Sequence, residues 1–209
     1  MPRPKGVKNE GHEDKRRELL LRMLPRFIRR DVERPSLRQL AAAAGVSVPT
    51  LRHYFGGRSD VVAALLTEYR SMGEARLRQA AEPAGDLHAS VRDFAHQFVR
   101  GMQAERQVRL GDMFAASLTE GLLDPAVSAT VLQTILDPSI DALQARLGRH
   151  IEAGQMRQAD TRAAALMLLS PLLVAVLHQD QLCGRNTHPL DLPTLADELA
   201  SSFVRAYAA

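Results

Sequence analysis

Residues 36–62 read SLRQLAAAAGVSVPTLRHYFGGRSDVV. Ser36 is followed three positions later by Gln39, a capping-box pair that satisfies two helix-end amides reciprocally, so a helix is predicted over Leu37 to Ala44. Gly45 stops it, because the residue past a helix C-terminus commonly needs positive φ. Ser47 can cap a second helix, Val48 to Phe55, with Pro49 in its first turn, where a missing N–H costs nothing. Gly56 and Gly57 end that helix. The next one is predicted to start near Ser59-Asp60, turn Val61, Val62, Leu65, Leu66 and Tyr69 inward, and reach Ala81. Two short helices joined by Gly45-Val46-Ser47 have the dimensions of a helix-turn-helix, in which the second helix enters the major groove of DNA.

Leu37, Leu40, Ala41, Val46, Leu51 and Phe55 supply a small core for this unit, and the alanines at 41 to 44 let the two helices cross closely. Left facing outward on the second helix are Val48, Pro49, Thr50, Arg52, His53 and Tyr54. These side chains are groove-sized and either hydrogen-bonding or apolar, which suits contact with bases and phosphates.

The charge distribution agrees with that placement. The chain has 209 residues, 45% apolar and 24% charged, with 13 Gly, 11 Pro, one Cys and no Trp, a composition that excludes disordered, collagen-like and disulfide-framed classes. Its net charge of +3 hides an asymmetry: residues 1–60 carry 14 basic against 7 acidic side chains, a net +7, while the remainder is net −4. A basic end on a mildly acidic body points to a polyanion bound at one end only. The lone Cys183 excludes an internal disulfide and a multi-Cys zinc site and fits a reducing cytosol. The N-terminus has charge but no apolar segment behind it, so no secretory signal is expected. The longest apolar run, Ala163 to Leu177, is 15 residues long and contains Ser170 and Pro171. A membrane span needs roughly 20 residues, so this run is expected to be buried in protein, and a cytoplasmic location follows.

Helical periodicity continues along the chain without any alternating β pattern, so the fold is expected to be all-α, with about nine helices. The first spans Glu13 to about Arg30, with Pro25 kinking it. Asp86 caps a helix with the stripe Leu87, Val91, Phe94, Ala95, Phe98, Met102, the cleanest amphipathic pattern present. Leu110, Met113, Phe114, Ser117 and Leu118 mark another helix up to Gly121. Asp124-Pro125 opens a helix reaching about Ala153, interrupted at Asp137-Pro138, and reads equally as one kinked helix or two. Asp160 or Thr161 caps the apolar helix to His178, and the last helix runs from Thr194 to Ala208. The expected organisation is a basic arm (1–12), a helix-turn-helix domain (13–62) and a helical body (63–209).

The 27-residue segment resembles the DNA-binding signature of TetR-type transcriptional regulators. Ala41, Gly45, Val46, Ser47, Thr50, Leu51, Tyr54, Phe55 and the basic residue at 58 stand in register. The chain departs from the family pattern in having Arg52 for the usual Tyr, Arg58 for the frequent Lys, and Asp31-Val32 where a Gly commonly follows the first helix. The resemblance implies a homodimeric regulator, a repressor released from a pseudo-palindromic operator by a small hydrophobic effector. It also implies contacts to phosphate or bases from Thr50, Tyr54 and Arg58. The full set of expected DNA contacts is Arg38, Ser47, Val48, Pro49, Thr50, Arg52, His53, Tyr54 and Arg58. Arg52 reads either as a bidentate ligand of guanine or as a phosphate contact, and the arm Pro2 to Lys8 either as a DNA contact or as a solubilising tail.

In the body, Phe94, Phe98, Met102, Met113, Phe114 and Leu118 are the candidate lining of an effector pocket, against the plainer reading that they are core. His96 and Arg109 are candidate polar anchors. Leu166, Leu169, Leu173, Leu177, Leu199 and Phe203 are the candidate dimer interface, against burial within one subunit. His88 and His96 lie about 80° apart around a helix with no carboxylate or Cys to match, so no metal or cofactor is expected. No nucleophile elbow, P-loop or zinc-protease motif occurs, so no catalytic residue is assigned. Two further readings stay open: a DNA-binding or architectural protein without an effector, and an all-helical enzyme or carrier with an incidental basic end.

Overall fold

The computed structural model describes residues 7–29, 33–105 and 108–209, and all regular structure among them is helical apart from one isolated bridge between Met156 and Ala208. Twelve α-helical segments appear: α1 (Val7–Phe27), α2 (Leu37–Ala44), α3 (Val48–Phe55), α4 (Arg58–Met72), α5 (Glu74–Ala80), α6 (Leu87–Gln103), α7 (Leu110–Leu123), α8 (Pro125–Val131), α9 (Asp137–Glu152), α10 (Thr161–Val176), α11 (Gly184–Thr187) and α12 (Leu192–Tyr207). The surplus over nine has local causes. Gly73, with φ −93° and ψ −4°, separates α5 from α4, where one helix to Ala81 was expected; glycine costs about 1 kcal/mol in a helix interior, so a break there is cheap. Between α8 and α9 the chain stays helical through a π turn at Leu132–Leu136. Pro138 has no N–H to give to the preceding turn, and this wider turn accommodates it. A second π turn, Leu177–Gln181, extends α10, and the short α11 falls in the loop expected to be irregular.

The first helix begins at Val7, six residues before the expected Glu13, so only residues 1–6 of the arm are left, and they lie outside the described residues. The same holds for Asp31 and Val32. Pro25 falls in the last turn of α1, which ends two residues later.

Two packed units result. In the first, Leu19, Leu20, Met23 and Leu24 of α1 meet Leu40, Ala41 and Ala44 of α2, Leu51 of α3 and Val61, Val62 and Leu65 of α4, all at most 3% exposed. In the second, α6 packs against α12 and α10, and α9 against α10. The helical stretch Thr161–Gln181 is long and apolar enough to cross a membrane by length and composition, and 39% of its apolar 18-residue window is buried in the single chain. Its inner face carries Ala164, Ala165, Leu168, Leu172 and Val176, and its outer face Leu166, Met167 and Val174 at 41%, 61% and 63% exposure.

Candidate nucleic-acid interface and interior cavity

Helices α2 and α3 have the bounds expected from their caps. Ser36 Oγ accepts from Gln39 N (3.3 Å) while Gln39 Oε1 accepts from Ser36 N (2.9 Å), and Gly45 takes φ +73°. At the start of α3, Ser47 Oγ accepts from Thr50 N at 3.2 Å and lies 2.7 Å from Thr50 Oγ1. At its end Gly56 has φ +96°, and a Cβ there would lie 2.6 Å from Asp60 Oδ2, which accepts from Gly57 N at 2.7 Å. Only glycine allows the turn that swings the chain from α3 into α4.

These caps fix which side of α3 faces out. Leu51 is fully buried; Pro49, Arg52 and His53 are exposed, with Val48, Thr50 and Tyr54 half-buried. Arg38 and Ser47 are exposed beside them. Arg38 and Arg52 form no ion pair with any carboxylate among the described residues, whereas two arginines of α1 do: Arg17 pairs with Glu68 at 2.8 Å and Arg22 with Glu18. The Tyr54 ring stacks on His12 of α1 (centroids 4.9 Å, 26°), and the Arg16 guanidinium lies 5.0 Å over Phe55, so α1 braces the outer helix. The unit thus presents two unneutralised guanidiniums and small hydroxyl and apolar side chains on one rigid face.

Arg58 is placed elsewhere. It opens α4, but its guanidinium turns toward the body, where Nη1 and Nη2 donate to both oxygens of Glu120 on α7 (2.8 and 2.5 Å) and Nε donates to the Pro35 carbonyl at 2.8 Å. Arg34 Nη2 donates to Glu120 Oε2 at 2.5 Å, and Ser59 Oγ to Asp124 Oδ2 at 2.6 Å. In this conformation the side chain expected at a phosphate instead ties the DNA-facing unit to α7. Glu120 is 2% exposed. Burial pushes its carboxyl pKa up, but the hydrogen bonds and charges of Arg58 and Arg34 outweigh that and hold it below the usual glutamate value. Glu120 and Arg34 carry no motif in the sequence, and Asp124 is marked there only as a helix cap. A single carboxylate in the leucine-rich segment Leu118 to Leu123 was the available signal.

The body contains two neighbouring cavities of 280 and 490 Å³, bounded by α4, α5, α6, α7 and α9, and both touch Arg76, Leu77, Gly101, Leu110 and Ser139. Of the expected lining, Phe114 lines the smaller, and Phe94 and Phe98 the larger. Met102 and Met113 are core at 1% and 0% exposure, and Leu118 does not reach either cavity. The π turn contributes Thr134 and Ile135 to the wall of the smaller cavity. His96 and Arg109 are not on the wall. His96 Nε2 is 2.6 Å from Asp197 Oδ1 on the α6–α12 seam, where Arg92 Nε also donates to that oxygen at 2.6 Å. Arg109 lies by Glu105 and Asp112.

Asp197 makes a test of that seam. Hydrogen bonds from Arg92 and His96 hold its carboxyl down at about 2, from an ordinary 3.8. A depressed carboxylate pKa stabilises the fold above its unfolded value, and that contribution disappears as pH falls through the folded one. Between pH 5 and 2 the thermal midpoint of the wild type should therefore fall more steeply than that of Asp197→Asn, and parallel curves would show that the seam contributes no acid-labile stability.

Of the expected interface residues, Leu169 and Phe203 are 4% and 5% exposed, packed inside the subunit. Leu173, Leu177 and Leu199 are half-buried, and Leu166 is open. The Ala163 to Leu177 run is apolar on every side, so its sequence periodicity did not mark which face turns inward. Met167 and Val174 complete the outer stripe.

Residues 26–65 match the family model for bacterial regulatory proteins of the tetR family, and residues 89–209 match the C-terminal domain of AefR-like transcriptional repressors. None of the curated proteins compared matches the chain. Among solved structures, a TetR transcription regulator from Haloarcula marismortui ATCC 43049 aligns with TM-score 0.71 at 15% identity, covering 94% of this chain and 100% of its own. A TetR-family transcriptional regulator from Agrobacterium tumefaciens gives 0.66 at 20% identity over 95% and 100%, and GusR from Salmonella enterica 0.68 at 18% over 92% and 96%. At these identities the structures attest the shared fold, and the two family matches together span most of the sequence. The helix-turn-helix of α2 and α3, mounted by α4 on an all-helical body, is that of a DNA-binding transcriptional regulator, and the chain belongs to the TetR family.

Proposed function

We propose that the protein works as a homodimeric repressor whose grip on a pseudo-palindromic operator is weakened by a small molecule bound in the body. The observation that carries the ligand reading is the position of the cavities. Tyr69, Arg70, Met72 and Gly73 at the C-terminal end of α4 line the smaller one, and Arg58 at the other end of the same helix, 15 residues long or about 22 Å, holds Glu120. Helix α7 repeats the arrangement, with Leu110 and Phe114 on the cavity and Glu120 at the latch. A ligand that separates α4 from α7 at the cavity therefore strains the contact that sets the angle of the DNA-facing unit. Such a ligand acts only through unequal affinity for the two arrangements.

Dimerisation through α10 supplies the second half-site reader. An apolar stripe of Leu166, Met167 and Val174, flanked by half-buried Leu173 and Leu199, suits a four-helix interface with the same pair of helices from a second copy. The two recognition helices would then enter successive major grooves about 34–36 Å apart. Val174→Glu tests this. Val174 is 63% exposed, so the fold of the subunit should survive. Sedimentation equilibrium should give about twice the 23.0 kDa chain mass for the wild type and the single mass for the variant. Affinity for a selected operator should fall about 100-fold or more as the linkage of two half-sites is removed. A wild-type monomer that still binds DNA would overturn the dimer reading. The same operator, titrated with a panel of small molecules, tests release. A cytoplasmic location is part of the same reading.

A further inference from the structure

We propose that the paired cavities select an amphipathic anion: an aromatic or aliphatic body bearing one carboxylate, sulfonate or phosphate. The inference rests on the reading that these cavities are the effector site. Their walls are mostly apolar, with Phe94, Phe98, Phe114, Leu77 and Leu110, and three arginines reach them. Arg70 lines the smaller cavity, Arg100 the larger, and Arg76 both; no Asp or Glu is present among the described lining residues. Arg70 Nη1 is shielded from solvent and has no hydrogen-bond partner among the described residues. A buried donor without an acceptor is costly, and for a charged donor the cost is larger. Arg70 borders Glu74 and Asp141 on its other side, but no carboxylate faces it from the cavity walls, where an anion that brings its own apolar body satisfies it best. A cationic ligand would meet like charge at low dielectric, and a neutral one would leave the Arg70 donor unmet unless it carried an acceptor.

Gly101 explains why the two cavities adjoin. It lies in the last turn of α6, and a Cβ added there would sit 3.9 Å from both Arg76 Nη1 and Leu110 Cδ2, in ordinary contact. The missing side chain leaves the passage between the two open. A larger residue at 101 would fill it without forcing the backbone, separating the Arg70 end from the Phe94–Phe98 end.

The probes are 1-anilinonaphthalene-8-sulfonate and N-phenyl-1-naphthylamine, which share an aromatic body and differ by the sulfonate. In fluorescence titrations of the intact wild-type protein, the sulfonate should bind about tenfold or more tighter than the neutral probe. The double variant Arg70→Met/Arg76→Met should cut that ratio several-fold, Arg100 remaining on the larger cavity, and a ratio within one preparation is independent of its folded fraction. Gly101→Leu should weaken both probes about tenfold. A wild-type ratio of one or below, or a ratio unchanged in the double variant, overturns the anion proposal. If Gly101→Leu still weakens the neutral probe in that case, the cavity reading stands without it. Binding of neither probe, or binding of both unaffected by Gly101→Leu, overturns the two readings together.

Discussion

Replacing Glu120 by alanine should lower the thermal midpoint by roughly 5–10 °C. The carboxylate is 2% exposed and meets the fork of Arg58 and one nitrogen of Arg34. Removing one partner of a buried pair leaves the other charges uncompensated, at a cost of about 3–5 kcal/mol when the pair is fully enclosed. Here the arginines are 24% and 34% exposed, so water recovers part of that and about 2–3 kcal/mol remains. For a chain of this size each kcal/mol moves the midpoint by about 2–4 °C. Calorimetry reads the shift directly. In an Arg58→Met background the same alanine substitution should cost less by on the order of 1 kcal/mol or more, because the two side chains share one interaction. Additive losses would mean that the ion pair is decorative and that van der Waals packing holds α4 to α7.

The latch also bears on what a ligand can do. Glu120 sits on the same helix as Phe114, which faces the cavity, six residues or about 9 Å along the axis. A rigid helix transmits displacement over that distance almost undiminished, and a bidentate pair tolerates little misalignment before one of its bonds breaks. Two packed arrangements, one with the fork closed and one with it open, would give the bistability that a switch needs.

How far sequence alone reaches differs between the two units. The bounds of α2 and α3 were legible because they depend on nearest-neighbour chemistry: Ser36 with Gln39, Ser47 with Thr50, and glycines at positive φ at 45 and 56. The inward and outward faces of α3 followed, since Leu51 is the single fully enclosed residue of a two-turn helix. The cavity was half-legible. Phe94, Phe98 and Phe114 were marked by helix spacing, but the same spacing marked Met102 and Met113, and only the crossing of α6 and α7 decides which of them meets a void and which meets a neighbour. Arg70 and Arg76 carry no mark in the sequence because an arginine on a long helix is ordinarily solvated, and the break at Gly73 that separates α5 from α4 has no stronger sequence mark than a glycine. His96 and Arg58 are engaged away from their expected places for one physical reason. Each found a carboxylate more than sixty residues away in the chain, Asp197 or Glu120, and long-range ion pairs leave no periodicity to read.

Arg52→Ala should reduce operator affinity by about 1–3 kcal/mol per half-site, hence roughly 2–6 kcal/mol for a dimer, and should do so unevenly across operator variants. Arg52 is exposed on the outer face of α3, one turn beyond Val48 and Pro49, and no carboxylate among the described residues engages its guanidinium. An arginine free of internal partners on a recognition helix keeps its planar fork available, and that fork matches the two acceptors on the major-groove edge of guanine. The bidentate contact and a phosphate contact separate cleanly in a binding profile over all four bases at each operator position. If Arg52 reads guanine, one position in each half-site loses its preference in the alanine variant while the others keep theirs, and Arg52→Lys restores affinity only in part because a lysine ammonium lacks the fork. If it holds phosphate, every sequence weakens by the same factor and the slope of log K against log salt becomes shallower by about one for each phosphate no longer neutralised. Uniform weakening would remove Arg52 from the specificity determinants and leave base discrimination to the hydroxyl, imidazole and apolar groups of Thr50, His53, Val48 and Tyr54.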